Sequence, residues 1–90
     1  MIHQIKLVQP YVDAVYKGFK TFEVRKNDRH YRIGDLVDFI PVMKTKKGEI
    51  IPIKHPITNK RYVISYVLNG GDYGIDKDYV VFAIRLHSNK

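Results

Sequence analysis

Short apolar/polar alternations, broken by glycine, proline and charged turns, run along most of this chain. Residues 2–8 place His3, Ile5 and Leu7 on one parity and Lys6 on the other, which predicts a first strand. The rhythm changes after Pro10, where Val12, Val15, Tyr16 and Phe19 stand at i, i+3, i+4 and i+7. That spacing predicts one short helix with its apolar stripe on the core and Gly18 as a left-handed cap. Tyr11 and Tyr16 read as amphipathic packing residues of this helix. Alternation returns from Lys20 to Lys26, a second strand in which Phe22 and Val24 face the core and Thr21, Glu23 and Arg25 share the other face.

Asn27 to His30 reads as a polar loop and Ile33-Gly34-Asp35 as a tight turn. The next strand, Leu36 to Val42, puts Val37 and Phe39 on one side and Asp38 on the other, and Pro41 predicts an edge or a bulge. Lys46-Lys47-Gly48-Glu49 suits a hairpin tip, and Ile50, Ile51 and Ile53 suit a short strand among prolines. Tyr62 to Leu68 and Tyr79 to Leu86 are strongly β-prone, the latter apolar on both faces and so central or well covered. The glycine-rich Asn69 to Gly74 must be a loop between them. The expected architecture is mostly β, of the α+β kind: five or six strands in a small mixed barrel over residues 1–90, with one early helix.

Composition sharpens this in three ways. Ninety residues allow one core with little surplus, and seven Tyr and four Phe supply its bulk without Trp. The absence of cysteine removes disulfides, thiolate metal sites and a catalytic thiol, and fits a reducing, cytoplasmic setting. No apolar run is long enough to span a bilayer, so no membrane-embedded segment is expected. The formal charge of +7 favours an anionic partner, nucleic acid first and a membrane surface second, and of the two the nucleic acid is the expected partner, with no membrane. The charge is clustered: residues 17–32 carry Lys17, Lys20, Arg25, Lys26, Arg29 and Arg32 against Glu23 and Asp28, and residues 44–61 carry a second basic group.

Most catalytic constellations are missing. The four histidines share no metal-site spacing, Gly70-Gly71 is followed by no phosphate-loop lysine, and neither Ser65 nor Ser88 sits in a nucleophile elbow, so no cofactor is expected. The 18–29 stretch remains. A carboxylate and a guanidinium two residues apart, flanked by Lys20 and Lys26, make either a ligand-holding charged face or a solvated strand edge with a weak ion pair. Lys20 beside Thr21 is the one pairing with catalytic potential, although neighbours on a strand point to opposite faces.

The skeleton Gly18-x-Lys20-x-x-Glu23-x-Arg25 resembles the signature of the ASCH domains, in the PUA-like superfamily of small RNA-associated barrels. The longer run from Lys20 to Arg29, with His3-x-Ile5-Lys6, Tyr11-x-x-Ala14-Val15, Gly34-Asp35, Tyr66-Val67-Leu68, Tyr73-Gly74-Ile75 and Tyr79-Val80-Val81, is similar to short bacterial and phage ASCH-like proteins of unassigned function. Residues 42–57 fall outside the likeness. The resemblance implies a β-barrel with a helix beside a charged cleft lined by Lys20, Glu23 and Arg25, with Lys26 and Arg29 close by. It implies RNA or a nucleotide-like ligand as partner, and a single strand with exposed bases is expected because side chains read the deep groove of duplex RNA poorly. Some ASCH members hydrolyse RNA or a modified nucleoside, so the alternative is a small hydrolase with Lys20 as base or electrostatic stabiliser and Glu23 as proton carrier. The amidohydrolase pattern puts a nucleophilic threonine three residues after its lysine, and that position here is Glu23.

Overall fold

The computed structural model describes residues 1–90. Half of them lie in six strands of one sheet: β1 (Ile2–Val8), β2 (Phe22–Lys26), β3 (Leu36–Lys44), β4 (Ile50–Pro52), β5 (Lys60–Asn69) and β6 (Tyr79–Asn89). One helix, α1 (Tyr11–Tyr16), follows β1, and a single 3₁₀ turn at Pro56–Asn59 precedes β5. The strand order is β1-β3-β5-β6-β2, with β4 paired to β3 beside this path. The β1–β3 pair is parallel and the others are antiparallel. The sheet does not close by strand pairing, because β1 and β2 do not pair with each other. No helix is long and apolar enough to cross a membrane.

The core forms where the alternating strands and the helix stripe converge. Ile5 and Leu7 of β1, Val12 and Val15 of α1, Val37 and Phe39 of β3, Tyr62 and Ile64 of β5 and Val80, Phe82 and Ile84 of β6 are buried together with Tyr31 and Ile57. His3 is buried too, on the parity that the alternation assigned to it. Its Nε2–H donates to Asp35 Oδ2 at 2.7 Å and its ring stacks 4.8 Å from Tyr31, which stacks 4.7 Å from Phe82. Burial pushes the Tyr31 phenol up. For Asp35 burial pulls upward, but the bonds from His3 and the Arg32 N–H, with the nearby amino terminus, outweigh it and hold the carboxyl below its ordinary value.

Three departures from the alternation have local causes. The helix ends at Tyr16, because Gly18 turns the chain at φ +83°, so Phe19 lies beyond it and is exposed. Asp38 is buried along with its neighbours, since Arg61 grips it through Nε and Nη2 at 2.9 and 2.8 Å and Lys90 lies 3.6 Å away. The bond from Arg61 holds the Asp38 carboxyl below its usual range. Pro41 is neither at an edge nor at a bulge. Its register partner is Leu7 of β1, and its other side lies where the neighbour of β3 changes from β5 to β4, with Pro41 O accepting from the Ile53 N–H. A missing amide is tolerated at that change of partner.

Candidate functional site: the seam between β1 and β2

The expected orientation of β2 is reversed. Phe22 and Val24 are about half exposed, whereas Glu23 is 2 % exposed. An alternating strand has two equivalent readings of its faces, and hydrophobicity selects between them only when the interior is apolar. Here the inward position is made tolerable for a carboxylate by two cations from its own segment. Lys20 Nζ donates to Glu23 Oε2 and, at 2.7 Å, to the Phe22 carbonyl. Arg25 donates to Glu23 Oε1 through Nε at 3.0 Å and Nη2 at 2.8 Å. A buried carboxylate with both oxygens occupied in this way is stable where an isolated one would not be.

The same segment ties the open sides of the sheet together. Arg25 Nη2 also donates to the Lys6 carbonyl of β1 at 2.6 Å, and Arg29 Nη1 donates to the Gln4 carbonyl at 2.8 Å. In β1 the odd-numbered residues bond to β3, as the Leu36 N–H to Met1 O and Gln9 N–H to Val42 O bonds show at its two ends. The even-numbered carbonyls therefore point away from β3 toward the seam, and the two guanidinium groups reach them there.

Two concavities lie along this seam and share Lys6 and Arg25. One, of about 610 Å³, has an apolar wall that includes Leu7, Val24 and Val42, the rings of Tyr11 and Phe22, and the Lys20–Glu23–Arg25 cluster. The Lys20 ammonium sits 5.4 Å from the centre of the Tyr11 ring and 5.0 Å from that of Phe22. The other, of about 540 Å³, is more polar and carries Lys26, Asp28, Arg29 and Tyr31. The structure thus brings Lys20, Glu23, Arg25, Lys26 and Arg29 to one seam. Lys6, Tyr11, Phe22 and Tyr31 join them, though the sequence reading did not select these four as ligand-facing. Lys6 was legible as an outward side chain, but no local pattern shows that β1 and β2 face each other.

The roles differ among the five. Lys20 and Arg25 are held by Glu23, and Arg25 and Arg29 by backbone carbonyls, so each keeps only part of its donor set for a ligand. Lys6 and Lys26 are exposed and form no ion pair. Glu23 has almost no solvent-facing surface, so it positions the two cations instead of meeting a ligand. Thr21 lies on a different concavity and does not face Glu23. No three His, Cys, Asp or Glu side chains converge where they could hold a metal ion. Across both concavities five cations, Lys6, Lys20, Arg25, Lys26 and Arg29, stand against two carboxylates, Glu23 and Asp28. An anion with an apolar, planar part suits such a lining.

The chain belongs to a family described as a domain of unknown function (DUF3850), which matches residues 2–84 and so takes in β1, α1, β2 and the whole seam. No curated protein matches the chain.

Proposed function

We propose that this chain is an RNA-binding module of the ASCH, PUA-like kind, its sheet curled as a barrel with the β1–β2 seam as the ligand cleft and its place of work the cytoplasm. The observation that carries the reading is the pairing, in one groove, of two partly exposed aromatic rings with a surplus of cations. A base stacks against Tyr11 or Phe22, and phosphates meet Lys6, Lys26 and the free edges of Arg25 and Arg29. Stacking contributes about 1–3 kcal/mol per base and accepts any base, because every base has a π-face. An unpaired strand is the fitting partner, since side chains reach bases poorly in the deep groove of duplex RNA. Glu23 acts indirectly, by holding Lys20 and Arg25 in the cleft. Binding is favoured over hydrolysis because the Lys20 ammonium donates to both Glu23 and the Phe22 carbonyl, which leaves no free lone pair for a base, and because the proton carrier of that reading, Glu23, is 2 % exposed.

The test is binding of a labelled, mixed-sequence single-stranded RNA across a salt series, with the RNA inspected afterwards for cleavage. Lys6→Ala/Lys26→Ala removes the two seam cations whose side chains are free of hydrogen bonds, and Tyr11→Ala removes one ring; none of these removes a hydrogen bond of the Glu23 cluster. With about three to five phosphate contacts, log affinity falls against log salt with a slope of roughly −2 to −3.5. The double variant flattens the slope, whereas Tyr11→Ala lowers affinity without changing it. Absence of binding by the wild type at low salt sinks the proposal. Cleaved RNA, with cleavage lost in the variants, replaces it with a hydrolase.

A further inference from the structure

On the other side of Lys20 from the seam groove lies a third concavity, of about 380 Å³, between the end of α1 and the β5–β6 pair. Its floor includes Tyr62 and Ile84, and its rim carries Lys17, Thr21, Lys60 and Arg85 beside Tyr16. Lys20 borders it as well, but its ammonium is turned to Glu23 in the seam groove. The hollow has no carboxylate in its lining.

Elsewhere in this basic chain several cations converge on a carboxylate or a carbonyl. Arg61 and Lys90 gather on Asp38, Lys20 and Arg25 on Glu23, and Arg29 on the Gln4 carbonyl. Arg85 forms no ion pair and no side-chain hydrogen bond within the protein, and Lys17 meets a carboxylate only through the long-range pull of its charge on Asp13, which lies outside the hollow. Lys60 has only neutral company, the Asn89 Oδ1 at 2.8 Å and the Tyr16 ring 6.0 Å away. Three like charges around one hollow raise its positive potential and favour an anion there, and Thr21 and Tyr16 bring hydroxyl donors to the same lining.

We infer that this hollow is a phosphate site, and that it holds a backbone phosphate of the same RNA strand whose base enters the seam groove. Lys20 borders both sites, so a strand crossing the chain at Lys20 reaches one with a base and the other with its backbone. The strand assignment rests on the RNA reading above; the phosphate site does not.

Two arms separate them. In the first, amide spectra of ¹⁵N-labelled protein are recorded during titration with inorganic phosphate, with chloride at matched ionic strength as control. Saturating shifts at Lys17, Gly18, Thr21 and Arg85 that chloride does not produce support the site; their absence overturns it. In the second, RNA affinity is measured across salt for Lys60→Gln/Arg85→Gln. The control is Lys46→Gln/Lys47→Gln, which removes the same charge from the β3–β4 turn, outside every seam or hollow lining. Loss of one phosphate contact flattens the slope by about 0.7, or about fivefold in affinity per decade of salt, in the hollow variant alone. Equal slopes for the two variants overturn the strand assignment. Failure of the wild type to bind RNA takes down the RNA reading and the strand assignment with it, while the phosphate titration still decides the site.

Discussion

Neutralising Glu23 is the most informative single change available in this protein. In Glu23→Gln the side chain keeps its size, so packing is preserved and only the charge and one acceptor are altered. Two cations then remain beside a position that is 2 % exposed, their own side chains 18 % (Lys20) and 26 % (Arg25) exposed. Removing one partner of a fully buried ion pair costs about 3–5 kcal/mol, because the other charge is left unpaired in low dielectric. Lys20 and Arg25 retain a route to water, and Arg25 keeps its bond to the Lys6 carbonyl, so the cost falls at or just below the bottom of that scale, about 2–3 kcal/mol. For a chain of this size each kcal/mol lowers Tm by about 4–8 °C, and a drop of about 8–24 °C is expected. Urea unfolding followed by far-ultraviolet circular dichroism measures it. The companion variant replaces the whole cluster by apolar residues, Lys20→Met/Glu23→Leu/Arg25→Met. Exchange of a buried ion cluster for packed hydrophobic side chains is often neutral or stabilising, so this triple variant regains most of the stability lost by Glu23→Gln. It loses RNA affinity all the same, if the cluster is there to hold cations in the cleft. A Glu23→Gln protein melting within about 2 °C of wild type would refute the reasoning, because the carboxylate would then not be organising its two neighbours.

Three further outcomes follow from the structure. Gly70→Ala should cost about 2–3 kcal/mol by urea unfolding, because a Cβ there would overlap the backbone oxygens of Asp76 and Tyr79, which close the loop between β5 and β6. Val24→Thr should change stability by less than about 0.5 kcal/mol, since Val24 is 53 % exposed, and a larger loss would restore the inward orientation first expected for it. Acid should destabilise the fold through Asp35 and Asp38, both held below the ordinary aspartate value of 3.8. As pH falls through that value the unfolded chain takes up protons before the folded one does, so stability present above about pH 4–5 is lost below it. Asp38→Asn removes one titrating group and should make the fall in a pH series of melting curves shallower.

Much of the architecture was legible because local pattern and tertiary need agree. The bounds of β1 coincide with its alternation, and the β-prone runs beginning at Tyr62 and Tyr79 became the long β5 and β6 pair. The helix was placed by its period and stopped by its glycine. What the pattern could not supply was sidedness. Strand β2 reads equally well with either face inward, and the choice was made by Lys20 and Arg25, whose approach to Glu23 is a property of the folded chain. The candidate residues were found because their charges cluster in sequence. Their partners on β1 stayed hidden because carbonyls carry no sequence signal, and Gln4 and Lys6 contribute through the backbone. The hollow beside α1 was equally hidden, since Lys17, Lys60 and Arg85 are distant in sequence.

The bonds from Arg25 and Arg29 to β1 also bear on how this protein behaves in a crowded solution. An outer strand with a row of vacant carbonyls is a template on which another chain can add, and it is the usual starting point for edge-to-edge aggregation. Here two of those carbonyls are already occupied by guanidinium groups of the same molecule. An incoming strand would have to evict both arginines before it could form a ladder with β1, and it would meet their charges on arrival. Part of the basic surplus therefore serves as insulation, which lets a small β-rich protein leave one seam of its sheet unzipped without inviting its own copies to fill it.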